Sequence, residues 1–196
     1  MTDAVEIVSD LVKIPSVSPF GRNETERRER FERCREVLAY LEEFLQKQGA
    51  QTEQLVFEGG HDKWWYPVPN LYAELTIGDR KAAGHKFLCY MGHIDVVPVG
   101  EEKLWRRPPF SGQVDEGFVW GRGATDMKGS VGAWMSALEK LKAGKGDGVN
   151  LTIGTLITGD EEWAAVNGSD KVLAWMKANG KNPDAFIVGE PSSRDY

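Results

Sequence analysis

Only 2 cysteines and 3 histidines occur among the 196 residues. Two thiols, Cys34 and Cys89, supply no disulfide framework, so stability has to come from a packed core and a reducing cytoplasm is the expected compartment. Long apolar runs are missing too. Nothing approaches the ~18 consecutive apolar residues of a membrane span. The opening stretch MTDAVEIVSDLVKIPSV is acidic where a secretory leader is basic, so neither export nor a membrane partner is expected. A basic excess is also absent: 24 Lys and Arg against 30 Asp and Glu give a net charge of -6, which argues against a nucleic-acid partner. The one arginine-rich stretch, residues 22–35, is interleaved with Glu24, Glu26, Glu29 and Glu32 and reads as a solvated helix face. The chain shows no internal repeat, low-complexity tract or clear linker.

What remains is an ordinary globular composition, 41% hydrophobic and 28% charged. Val5, Val8, Leu11 and Val12 share one helical face over residues 4–13, and Ile14-Pro15 ends that helix. Phe31, Cys34, Leu38, Leu41 and Leu45 recur at spacings of three and four over residues 25–48, with Gly49 at the expected C-terminal cap. Further helices are expected over 130–142 and 169–179. Extended segments are expected over 54–57, 71–76, 87–92, 118–120, 151–158 and 185–188. The run Phe87 to Gly92 is apolar throughout and suits a strand covered on both faces. Helices alternating with apolar strands predict an α/β three-layer sandwich around a mostly parallel or mixed sheet, whose ligand site lies beyond the carboxyl ends of the strands.

The polar residues of interest stand where apolar strands end. One run leads into His93-Ile94-Asp95, another into Gly159-Asp160-Glu161-Glu162, and a third into Gly189-Glu190. His93 and Asp95, two apart on an extended chain, point to the same side, so the carboxylate can hold one imidazole nitrogen while the other faces a cation. For an isolated H-x-D, a satisfied core histidine is the favoured reading. The glycine-rich loop 121–129 leads into a helix but has neither the G-x-x-x-x-G-K-[ST] spacing nor the third glycine of a dinucleotide fingerprint, so phosphate binding is not expected. Its Asp126, in a tight glycine-flanked turn, is placed to bridge cations instead. Three acids in a row, 160–162, are costly unless a cation or solvent neutralises them, and adjacent Glu161 and Glu162 can divide the roles of base and ligand. A solvated acidic loop is the plainer alternative.

Taken together, His93-Ile94-Asp95, the 121–129 loop with Asp126, Asp160-Glu161-Glu162 and Gly189-Glu190-Pro191 resemble the zinc aminoacylase and carboxypeptidase family M20. PPFSG around Phe110, ITGDEE, NGSDKVLAW from Asn167 and IVGEPSS are similar to the branch of that family that removes succinate from N-succinyl-LL-2,6-diaminopimelate in lysine and cell-wall precursor synthesis. The resemblance implies a metal-dependent amide hydrolase in which His93, Asp126 and Glu190 hold a first zinc, Asp126 bridges to a second held by Glu162, Glu161 is the general base and Asp95 is the partner of His93. It implies a small anionic N-acyl amino acid as substrate. Branches that deacetylate acetylornithine or cleave peptides share the same metal motifs and stay open as alternatives.

The resemblance also implies two zinc ions per complete site, replaceable by cobalt, a second-zinc histidine late in the chain, and a dimerisation domain inserted after the GEP motif. Neither of the last two features is found in residues 1–196, and His61 and His85 are the only other imidazoles. The expectation is therefore an amino-terminal portion of the catalytic domain that binds one zinc and does not turn over alone. It would be monomeric, whereas the full-length protein would be a homodimer. A non-catalytic metal-binding fragment is the alternative of another class. Trp163 departs from the glycine the family pattern leads one to expect, and residues 58–69 are longer than expected.

Overall fold

The computed structural model describes residues 2–18, 23–59, 66–144 and 148–192. Helix α1 (Ala4–Lys13) starts where the Asp3 side chain accepts a hydrogen bond from the Val5 N–H, and it ends at Ile14 before the proline. Helix α2 (Glu24–Lys47) is capped by Asn23, which accepts from the Glu26 N–H. It stops before Gly49, whose φ of 85° is a left-handed conformation that favours glycine. The stripe Cys34, Val37, Leu38, Leu41 and Leu45 is buried. The opposite face carries the exposed pairs Arg33–Glu36 and Arg35–Glu32, as expected of a solvated face. Each buried leucine contributes about 1.5–3 kcal/mol and each exposed pair about 0.3–0.5 kcal/mol, so the apolar stripe decides how α2 docks.

Five strands form the main sheet: β1 (Gln51–Gly59), β2 (Tyr66–Ile77), β3 (Lys86–His93), then, beyond a small hairpin of β4 (Gln113–Asp115) and β5 (Phe118–Trp120), β6 (Leu151–Thr158) and β7 (Ala185–Val188). Their order is β1-β2-β6-β3-β7. The β1–β2 and β2–β6 pairs are antiparallel, whereas β6–β3 and β3–β7 are parallel. The sheet is thus mixed. Both β1 and β2 outrun the segments expected from sequence because their long mutual ladder takes in Pro67 and Pro69, residues that cannot donate to a ladder and so interrupt the sequence signal.

Three layers result, as the sequence suggested. One sheet face collects Leu71, Ala73, Ile77, Tyr90, Ile153 and Ile157 beneath α1, α2 and α3 (Gly129–Ala143). The other collects Tyr72, Phe87, Cys89 and Leu156 beneath Val172 and Met176 of α4 (Ser169–Ala178). Strand β3 is therefore covered on both sides, which is what its unbroken apolar run required. Both cysteines are free and buried. No helix among the described residues is long and apolar enough to cross a membrane.

Candidate metal centre

Register assembles the site. Strands β3, β6 and β7 run parallel, so their carboxyl ends share one edge of the sheet. His93 is level with Thr158, the last residue of β6, and Met91 is level with Val188, which brings Glu190 alongside His93. Asp126 arrives from the turn that precedes α3. A cavity of about 230 Å³ opens there, with Met91, Thr158, Ser169 and Val188 in its wall beside His93, Glu161 and Glu190.

His93 is the hub. Its side chain is 1% exposed. Nδ1 lies 3.0 Å from the main-chain carbonyl of Asp95, and a carbonyl can only accept, so Nδ1 carries the proton and Nε2 presents its lone pair. That lone pair faces Asp126 at 3.1 Å, Glu190 at 3.4 Å and Glu161 at 3.7 Å. Carboxylate oxygens accept rather than donate, so the arrangement is satisfied by a proton or a cation at its centre. Without a metal the proton takes that place. Burial works against the imidazolium, but hydrogen bonding to Asp95 and the negative charges of Asp95 and Glu190 outweigh it and raise His93 to about 9. Glu190 and Glu162 are both held above the ordinary carboxylate value, by partial burial first and then by neighbouring carboxylates, against the opposing pull of His93.

The donor set fits a cation. One oxygen each from Asp126 and Glu190 and a ring nitrogen of His93 lie within 4.8 Å of one another. Imidazole with carboxylates is a donor set zinc accepts. Glu161 stands at the rim beside them, its side chain 49% exposed. Glu162 is not part of the triad, and Asp126 is the charge that most raises its carboxyl. His85 lies at the opposite end of β3, its Nε2 3.0 Å from Thr152 Oγ1, and His61 falls outside the described residues.

Two side chains make contacts the sequence did not announce. The Asp95 carboxylate stands 3.6 Å from His93 Nδ1, farther than its own main-chain carbonyl. It still pairs with the imidazole and also accepts from the Glu161 N–H at 3.1 Å and the Glu162 N–H at 3.1 Å, tying the acidic loop to the histidine strand. Asp160 is held by hydrogen bonds away from solvent. It is 1% exposed and accepts from the Tyr66 hydroxyl at 3.0 Å and the Asn167 N–H at 3.0 Å. Burial still raises its carboxyl, with those hydrogen bonds opposing. Asn167 continues the brace by donating to the Tyr66 carbonyl at 2.9 Å. Tyr66 carried no sequence signal, because its partners Asp160 and Asn167 lie about a hundred residues away.

An imidazole and carboxylates converging at the carboxyl edge of a mixed sheet define a cation-binding α/β class. Residues 89–195, more than half of the chain, match peptidase family M20/M25/M40, and the chain belongs to that family. It is 37% identical over 190 residues to a succinyl-diaminopimelate desuccinylase of Xanthobacter autotrophicus, a match that covers 96% of this chain and 43% of the relative. Human carnosine dipeptidase 1 superposes with a TM-score of 0.78 at 25% identity, over 97% of this chain and 38% of that one. An M20 family metallo-carboxypeptidase from Sulfolobus solfataricus does so with a TM-score of 0.72 at 26% identity, over 98% and 38%. The chain thus spans less than half the length of these relatives.

Proposed function

We propose that this chain forms the amino-terminal part of the catalytic domain of a metal-dependent amide hydrolase that releases succinate from N-succinyl-diaminopimelate in the cytoplasm. One observation carries the reading: a buried imidazole whose free nitrogen faces Asp126, Glu190 and Glu161 within 3.7 Å at the ends of three parallel strands. The desuccinylase name of the Xanthobacter relative supports the choice of substrate.

His93, Asp126 and Glu190 would hold the first zinc and Glu162 would serve a second, with Asp126 shared between them. Zinc held there would supply a Lewis acid that polarises the scissile carbonyl and would lower the pKa of water to about 7. Glu161, partly exposed at the cavity rim, removes a proton from the attacking water and returns it to the leaving amine. Asp95 keeps Glu161 in reach by holding its backbone N–H. The Asp95 carbonyl keeps His93 in the tautomer that leaves Nε2 free.

Zinc titration of this chain by calorimetry should give one tight site, lost in His93→Ala. In the full-length protein, Glu161→Gln should retain zinc and lose about 10²–10⁴-fold in turnover. Succinate release from succinyl-diaminopimelate should exceed acetate release from acetylornithine. The opposite preference would retain the chemistry and reject the substrate. A second reading, dipeptide cleavage, draws on the similarity to carnosine dipeptidase 1 and belongs in the same substrate panel.

A further inference from the structure

Lys128 is wholly buried and, among the described residues, has no carboxylate in hydrogen-bonding range. Its Nζ donates to the Leu11 carbonyl at 2.8 Å and the Ile14 carbonyl at 2.8 Å, at the C-terminal end of α1. A lysine in that position is costly to keep, and buried ionic groups are often replaced by apolar residues without loss of stability. Stability of the scaffold is therefore a poor reason for its presence.

Position in the chain supplies a better one. Asp126 and Met127 have φ of -120° and -127°, outside the helical region, so no regular helical hydrogen bonding fixes Asp126. The turn is held by its ends. The Lys128 N–H closes it on the Gly123 carbonyl at 2.9 Å, and Met127 accepts the His93 N–H on its sulfur at 3.2 Å. The Lys128 side chain supplies the third tie. It reaches a frame that is itself keyed to the histidine strand: Ser16 Oγ donates to the Ile94 carbonyl, Val96 N–H to the Ser16 carbonyl, and Val17 bridges to Val96. The Asp126 turn and the His93–Asp95 segment are thus referred to the same end of α1.

We infer that Lys128 is a positioning residue for the metal centre, holding the Asp126 carboxylate opposite His93 by anchoring its turn to the carboxyl end of α1. The inference rests on the proposed metal centre. Lys128→Met keeps the length and apolar stem and removes the donors; Lys128→Gln keeps one donor group on a shorter stem. The 196-residue chain and both variants would be compared for thermal unfolding without metal, zinc affinity by calorimetry, and the visible absorption of the Co²⁺ form.

The expected result is that metal-free Lys128→Met unfolds within a few degrees of the parent, yet binds zinc at least tenfold more weakly with altered Co²⁺ bands. Lys128→Gln should fall between. Zinc affinity within twofold of the parent and an unchanged Co²⁺ spectrum would overturn the inference while leaving the metal centre intact. Loss of fold in metal-free Lys128→Met would also overturn it, by making the lysine a scaffold residue. A parent chain that binds neither zinc nor Co²⁺ would remove the metal centre itself and the inference with it.

Discussion

At Gly189 the space a side chain would need is already taken: a Cβ there would overlap Ser130 Oγ, Tyr90 Oη and Met127 Cε. Those groups form a floor under the site, with Tyr90 and Ser130 hydrogen-bonded at 2.8 Å and Tyr90 stacked on Trp134 at 4.7 Å. The glycine therefore lets β7 lie close enough for the next residue, Glu190, to reach His93. Gly189→Ala should cost about 1–3 kcal/mol of stability by overpacking and should weaken zinc binding, and Ser130→Ala in the same chain should recover part of both. Chemical denaturation and calorimetry of the single and double variants measure this; equal losses with and without Ser130 would refute the packing account. His93, Asp126 and Glu190 were legible because each follows an apolar run or sits in a glycine-rich turn. The ties of Lys128 to α1 and of Tyr66 to Asp160 and Asn167 were not, because nothing local marks a contact whose partner lies about a hundred residues away.

Among the elements, β2 shows what sheet position does to a charged residue. Glu74 points into the sheet with its side chain 5% exposed, where it accepts from Tyr72 at 2.7 Å and pairs with Arg80 at 2.8 Å and Lys181 at 2.9 Å. Burial works to raise this carboxyl, but Lys181, Tyr72 and Arg80 together hold it below its ordinary 4.5. A depressed native pKa stabilises the fold above the unfolded value, and that contribution is lost as pH falls through the native one. Glu74→Gln should then cost about 1–3 kcal/mol at pH 7, and the gap from the parent should close as pH falls through the depressed native value. Urea unfolding across pH 3–7 tests the sign; a gap that widens in acid would contradict it. The four helices and the strands β3, β6 and β7 were legible from sequence, through helical periodicity or an apolar run. The β4–β5 hairpin was half missed, because β4 is only three residues long and turns through Glu116 and Gly117 at positive φ with no apolar alternation to announce it.

For the molecule as a whole, the site is a place where separate parts of the chain meet under electrostatic tension. His93, Asp126 and Glu190 come from β3, the turn before α3 and the end of β7, with Glu161 beside them from the loop after β6. A bound cation relieves repulsion among the carboxylates and couples these parts. Zinc at a hundred times its dissociation constant should stabilise the chain by about 2.7 kcal/mol and raise its melting temperature by roughly 5–10 °C, and a chelator should reverse the shift. Differential scanning calorimetry with and without zinc reads this directly, and an unshifted transition would deny the coupling. The sequence by itself determined the layered α/β class, the secure helices, the family, and the strand-end location of the acids and the imidazole, because periodicity and motif spacing are local properties of the chain. Only the tertiary structure decided the mixed strand order, the capture of the Glu161 and Glu162 amides by Asp95, the burial of Asp160 under Tyr66 and Asn167, and the reach of Lys128 to α1. Each of these depends on strand register and layer packing, which bring together residues far apart in the chain.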